Sequence, residues 1–293
     1  MKLSRVFFIT GKGGTGKSTV AAALALALSR RRPTTLADLD GRLAAADIVG
    51  AALGDSASAR VSDSLEVVAL SQRAELHSFI KRIVPVSAIS ERMLRSRTFG
   101  YVTAALPGLE AFLLMERLRI MAGEAALQDR HIVIDAPASG TALELLAVAS
   151  GVKGIAPAGT LNRLAAAVEE FLADQGLFSA VITVTPEELA MREALDTARV
   201  LQKMRIEVAG AILNRSPLPL FTDSELRVLD TLGEHRLLAH RRVSEREAAD
   251  KAREHLERAG IPVFELPMLY RAAIGAREVS ALSRKLAAAM IAE

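Results

Sequence analysis

An α/β fold, a mainly parallel sheet with helices on both faces, is what three features of this sequence predict. Short apolar runs alternate with longer helical stretches along the chain. The apolar share is 51% but aromatics are only 4%, a balance that suits alanine-lined helices packed on a sheet better than an aromatic-rich β-sandwich. The apolar run Val6-Phe7-Phe8-Ile9 leads through Gly11-Lys12-Gly13-Gly14-Thr15-Gly16-Lys17-Ser18-Thr19 into the helical run from Val20 to Leu28. Strand, glycine-rich loop and helix thus follow one another without a gap.

That loop matches the phosphate-binding pattern G-x-x-x-x-G-K-[ST]. Its glycines allow consecutive backbone N–H groups to turn inward around a polyphosphate, and the helix behind adds its positive N-terminal end. Lys17 is placed to reach the β- and γ-phosphates, and the Ser18 hydroxyl to ligate Mg²⁺. A glycine-rich surface turn carrying two lysines is the plain alternative, but it does not account for the strand before and the helix after. The sequence predicts a nucleoside-triphosphate site.

Taken in order, the rest of the chain repeats the strand–helix alternation. Arg30-Arg31-Arg32-Pro33 stops the first helix, and Thr34 to Ala37 reads as a short buried strand ending in Asp38-Leu39-Asp40-Gly41. Acidic residues at the carboxyl end of a strand beside such a loop lie where Mg²⁺ and an attacking water would sit. After a polar connector, Leu65 to Leu70 reads as a strand. Residues 71–127 read as a helical insert, broken at Pro85 and Pro107-Gly108 and carrying Phe79, Ile80, Ile83, Met93, Phe99, Phe112, Leu113, Met115 and Met121. Those apolar residues either pack their own helices onto the sheet or form a groove for a hydrophobic client segment, and the first is favoured.

His131 to Asp135 is a further buried strand ending in an acid, followed by the small, turn-rich Ala136-Pro137-Ala138-Ser139-Gly140-Thr141. Such an Asp holds the Mg²⁺ water shell in phosphate-loop ATPases, and such a segment can move when the γ-phosphate leaves. Residues 142–149 and 161–173 read as helices, Ala180 to Thr185 as a strand, and Pro186-Glu187-Glu188 as the start of a helix to Met204. Val208 to Leu213 is a strand ending at Asn214-Arg215, and Thr222-Asp223-Ser224-Glu225 is a capping box for a charged helical region towards Arg258. Ile261 to Leu266 is the last strand, ending at Pro267, and Val279 to Ala292 the closing helix. The 293 residues read as one domain, with no repeat and no linker.

Composition narrows the chemistry. With no cysteine there is no disulfide, no Cys-ligated zinc and no iron–sulfur cluster. Lys+Arg 37 against Asp+Glu 34 gives +3, which gives no argument for nucleic acid. No apolar run approaches a membrane span and no secretory pattern opens the chain, so a cytoplasmic protein is expected.

The second lysine of the loop, Lys12, directly follows its first glycine, so the run K-G-G-T-G-K-S resembles the deviant Walker A motif of the MinD/ParA/nitrogenase-iron-protein class. Within that class, five further stretches are similar to the arsenite-pump (ArsA) and tail-anchored-protein-targeting ATPase family. They are Asp135 to Leu143, Ala105-Leu106-Pro107-Gly108-Leu109-Glu110, Thr185-Pro186-Glu187-Glu188-Leu189, Ile212-Leu213-Asn214-Arg215 and Glu265-Leu266-Pro267. The resemblance implies a Mg²⁺-dependent ATPase that works as a homodimer or a paralogous heterodimer, with Lys12 crossing to the partner subunit's phosphates. It implies phosphate binding by Gly11, Gly13, Gly14, Thr15, Gly16, Lys17, Ser18 and Thr19, and Mg²⁺ held through Ser18 and Asp135. Asp40 would orient or deprotonate the hydrolytic water, with Asp38 in reserve, and Asn214 with the backbone around Pro267 would recognise adenine.

The departures are informative. Asp40-Gly41-Arg42 replaces the family's D-P-A and is closer to the MinD form, and Thr141 replaces its switch histidine. Arsenite capture by thiolates and a CxxC-held zinc at a dimer interface both need cysteines that this chain lacks. The sequence therefore predicts an ArsA-like ATPase coupled to an unidentified client or membrane partner. The alternative is a MinD/ParA-like positioning ATPase acting on a membrane or nucleoid surface, with Val279 to Ala292 as its candidate membrane helix. A client-binding chaperone and a small-molecule kinase are the remaining readings.

Overall fold

Every residue of β1 (Val6–Thr10) is buried, because the strand lies near the middle of a sheet covered on both faces. In the computed structural model the residues described are 4–39, 41, 43–53, 57–83, 108–222, 224–225, 228, 236–271 and 273–290. The other strands are β2 (Thr34–Asp38), β3 (Ser58–Ser62), β4 (Leu65–Ala69), β5 (His131–Asp135), β6 (Phe178–Val184), β7 (Val208–Ser216) and β8 (Val263–Pro267). They form one sheet in the order β3-β4-β2-β5-β1-β6-β7-β8. All neighbours are parallel except the edge pair β3–β4. The predicted α/β class is the observed one.

Alternation along the strands sorts the core into two layers. Val6 and Phe8 face one side of the sheet, Phe7 and Ile9 the other. On the Phe7 side lie α1 (Lys17–Ser29), α2 (Ala44–Val49) and α9 (Ala276–Met290). Alanines 21, 22, 23, 25 and 27 of α1 are all buried, so this helix is apolar nearly all round and sits between the sheet and α9. Val279, Leu282, Leu286 and Met290 give α9 one apolar stripe, and it is buried against this layer. The candidate membrane helix thus spends its apolar face inside the protein. Among the described residues no helix is long and apolar enough to cross a membrane.

The Phe8 side carries α3 (Gln72–Ile83), α4 (Leu109–Leu127), α5 (Ser139–Ile155), α6 (Thr160–Ala173), α7 (Glu188–Lys203) and α8 (Arg236–Arg258). Phe178 packs against Phe8 at a tilt and against Phe171 edge-to-face, with ring centroids 5.8 Å and 5.2 Å apart. Each such aromatic contributes about 1.5–3 kcal/mol by burial alone. Phe112, Leu113, Met115 and Met121 pack into this layer, and Phe79 against its border, as core rather than as an open groove. Ile80, Ile83, Met93 and Phe99 fall outside the residues whose side chains are described, as do Pro85 and Pro107.

Several elements differ from expectation: the helix expected over 142–149 runs Ser139–Ile155, and the closing helix runs Ala276–Met290. The connector before Leu65 contains β3, whose Ser-Ala-Arg-Val-Ser alternates exposed and half-buried positions on the sheet edge, and α2 is a single short helix after Leu43. The last strand runs from Val263 rather than Ile261. Ion pairs from Glu265 to Arg246 (3.1 Å) and Arg253 fasten β8 to α8. Thr222 and Glu225 form the expected capping box, each backbone N–H donating to the other's side chain at 2.8 Å and 3.4 Å.

Candidate functional site

The parallel strands direct their carboxyl ends to one edge, and the loop between β1 and α1 lies there, between β5 and β6. Open α/β sheets bind ligands at this edge. Gly11 has φ 146°, and a Cβ there would overlap the Thr183 carbonyl of β6, so only glycine lets the loop leave the strand. Gly16, at φ 90°, is the N-cap of α1, and no side chain caps that helix end. A Cβ on Gly16 would overlap the Asn214 amide. The first-turn N–H groups of α1 are therefore left to a ligand or water.

The loop is held from below. Asn214, 5% exposed, donates Nδ2 to the Thr15 carbonyl at 2.8 Å. The Lys12 carbonyl accepts from Thr15 N–H (3.3 Å), Thr15 Oγ1 (2.9 Å) and Lys17 Nζ (3.5 Å). Gly13 and Gly14 are exposed at the tip, while Lys17, Ser18 and Thr19 are half-buried at the start of α1. The amides, Lys17 and the open helix end together offer an anion several donors on one backbone scaffold.

Acids line the next strands. Asp38 and Asp135 are register partners at the carboxyl ends of β2 and β5, each 1% exposed, and Asp135 is also level with Ile9 of β1. The Leu39 N–H donates to the Asp135 carbonyl at 3.0 Å, tying the chain after β2 to the end of β5. Ser18 and Asp135 offer hard oxygen donors, the chemistry that Mg²⁺ prefers while keeping several waters. Among the described residues no group of three or more His, Cys, Asp or Glu could hold a metal by itself. Asp40, the residue expected to act on water, lies outside the described residues.

The segment 136–141 is tied to the loop as well. Ala136 N–H donates to the Ile9 carbonyl and Ser139 N–H to the Gly11 carbonyl, both at 3.1 Å, and Thr10 Oγ1 donates to the Pro137 carbonyl at 3.3 Å. Ser139 Oγ also donates to the Glu193 carboxylate on α7. Glu193 carries no motif in the sequence, and nothing in its local pattern marks it.

Beyond Asn214 opens a cavity of about 1260 Å³, lined by Thr185, Pro186, Glu187, Arg215, Phe221, Arg242, Met268 and Tyr270 among others. Arg242 closes one wall, its guanidinium 4.9 Å from the Tyr270 ring centre and donating to the Tyr270 hydroxyl at 2.7 Å. Asn214, expected at adenine, is not among the lining residues; its amide supports the phosphate loop. Pro267 ends β8 in register with Ser216, and Met268, its neighbour, reaches the cavity.

Residues 4–158 match the anion-transporting ATPase family. Among curated proteins, the ATPase BagA of Mycobacterium tuberculosis is 27% identical over 223 residues, covering 72% of this chain and 65% of that protein. A protein of Aquifex aeolicus provisionally named as an arsenical pump-driving ATPase is 27% identical over 146 residues, 48% of each chain. An uncharacterized protein of Streptomyces coelicolor is 34% identical over 152 residues, 49% of this chain and 36% of that protein. The chain thus spans 65% of the length of its mycobacterial relative.

Proposed function

This chain belongs to the anion-transporting ATPase family, and on that footing we propose that it is a Mg²⁺-dependent ATP hydrolase, switched by nucleotide as a dimer and coupled to a client still to be identified. The observation that carries this reading is the phosphate loop with its uncapped helix end, braced by Asn214 and flanked by Asp38 and Asp135 in register.

In this reading the amides of Gly13 to Thr19 cradle the phosphates and Lys17 neutralises the β- and γ-oxygens. Ser18 and Asp135 would hold Mg²⁺, which when bound offsets charge that develops on the transferred phosphoryl group. Asp40 orients the attacking water for in-line displacement, with Asp38 in reserve. Catalysis is then positioning and electrostatics. Thr185, Pro186, Arg215 and Met268 form the near wall for the base. Lys12 adds its charge from the partner subunit, completing the site only when two copies close. The chain has no cysteine, so a thiolate site for arsenite is not part of this proposal.

The test is ATP turnover by the purified chain, with Mg²⁺ or with chelator. Wild type should hydrolyse ATP only with Mg²⁺, and Lys17→Ala should lose about a hundredfold or more in turnover, as when one preorganised charge donor is removed. Asp40→Asn should bind ATP but not turn it over. Turnover by Lys17→Ala at the wild-type rate would remove the loop from the chemistry.

A further inference from the structure

We propose that Glu193 is a positioning residue for the hydrolytic step, acting through Ser139; this rests on the ATPase reading above. Ser139 is the first residue of α5 and stands four positions after Asp135. It is 4% exposed and makes two contacts of different kinds. Its N–H donates to the Gly11 carbonyl at 3.1 Å, which joins it to the first residue of the phosphate loop. Its hydroxyl donates to the carboxylate of Glu193, 54 residues later on α7.

A buried hydroxyl given to a carboxylate is a charge-assisted bond, stronger than a neutral one and intolerant of losing its acceptor. The bond fixes where α5 begins, and with it the path of 136–138 from Asp135. The two ends of that path are thereby pinned, at β5 by the strand ladder and at Ser139 by Gly11 and Glu193.

Glu193 is itself well placed to act as an anchor. It sits in the second turn of α7, half-buried, and its own carbonyl accepts from Thr197 Oγ1 at 2.8 Å. Ala190, Ala194, Thr197, Ala198 and Leu201 seat α7 on the sheet. The residues just before α7, Thr185, Pro186 and Glu187, line the large cavity. The Ser139–Glu193 bond therefore joins the segment after Asp135 to the helix that leads from the cavity. The segment after Asp135 is thus registered against a helix seated on the sheet by its own apolar face.

The consequence is a split between binding and turnover. Holding ADP needs the loop and the cavity wall, which Glu193 does not touch. Turnover needs Asp135 and the 136–141 segment in register with the loop, which Glu193 holds.

The experiment measures kcat, ADP affinity and melting temperature for wild type, Glu193→Ala, Ser139→Ala, the double variant and Glu193→Gln. Glu193→Ala and Ser139→Ala should each lower kcat about tenfold with ADP affinity unchanged, since one charge-assisted bond is removed. The double variant should be no slower than either single one, because both remove the same bond. Glu193→Gln keeps an acceptor oxygen and should recover most of the rate. Wild-type kcat in both single variants, or rate losses that multiply in the double variant, would overturn the proposal. Parallel loss of ADP affinity would also overturn it, since that marks a general loosening. If Glu193→Ala melts below the assay temperature, Ser139→Ala and Glu193→Gln decide by themselves. Absence of ATP turnover in wild type would instead remove the ATPase reading, and ADP binding in the same series keeps the two failures apart.

Discussion

Asn214 and Gly16 meet across 198 positions of sequence, and the loop's shape depends on both. Asn214 spends its amide on the Thr15 carbonyl in a buried place, so Asn214→Ala leaves that acceptor without its donor. A loss of about 1–3 kcal/mol in unfolding free energy is expected. Gly16→Ala adds a Cβ against the same amide at a φ of 90°, which strains the loop from the other side. Because the two changes disturb one contact, their effects should fall short of additive. Urea unfolding of the two single variants and the double variant measures this, and full additivity would show that the contact does not couple them. The glycine spacing and Lys17 were readable in the sequence because a phosphate loop is local. The bracing role of Asn214 was not: its N-R neighbourhood suggested the base, and only the fold places the amide under Thr15.

At the scale of elements, the start of β5 sets a pH dependence. His131 is 6% exposed, close to the Phe7 ring, and faces Arg5, Arg32 and Asp129. Burial foremost, then the charges of Arg5 and Arg32, push its pKa below the ordinary 6.5. The unfolded chain therefore takes up a proton first as pH falls. Stability is full above about pH 6.5 and declines as pH drops below it, until the folded imidazole also titrates. Asp129 is held below its ordinary 3.8 by its hydrogen bond from Arg5 and by Arg32, so its contribution is lost only at more acidic pH. Melting temperature between pH 7 and pH 5 should fall in wild type and stay flatter in His131→Gln. Parallel curves would exclude His131 as the source. Elements with dense apolar runs, such as β5 and β6, declare themselves in the sequence because both faces are buried. The edge strand β3 does not: with a serine at each end and an arginine at its centre, it is held by one antiparallel neighbour rather than by an apolar pattern.

For the whole molecule, the two-layer architecture was legible from the strand–helix alternation, whereas contacts such as Ser139 with Glu193 join segments that no local pattern links. Assembly turns on Lys12. Its backbone carbonyl is fixed by three donors, yet among the described residues its ammonium has no hydrogen bond or ion pair. Lys12 is half-buried beside the phosphate loop, its main chain held by those three bonds. A partner's nucleotide would give that charge a counterpart, so closure should require both the triphosphate and the lysine. Light scattering should therefore show a doubling of mass for wild type with a non-hydrolysable ATP analogue, and no doubling with ADP or without nucleotide. Lys12→Ala should bind the analogue yet remain monomeric, and turnover should rise with protein concentration in wild type but not in Lys12→Ala. A wild type that stays monomeric with every nucleotide would sink the trans-acting role of Lys12 and leave turnover to a single chain or to a paralogous partner. A Lys12→Ala dimer as tight as wild type would place the closing contacts elsewhere on the nucleotide face.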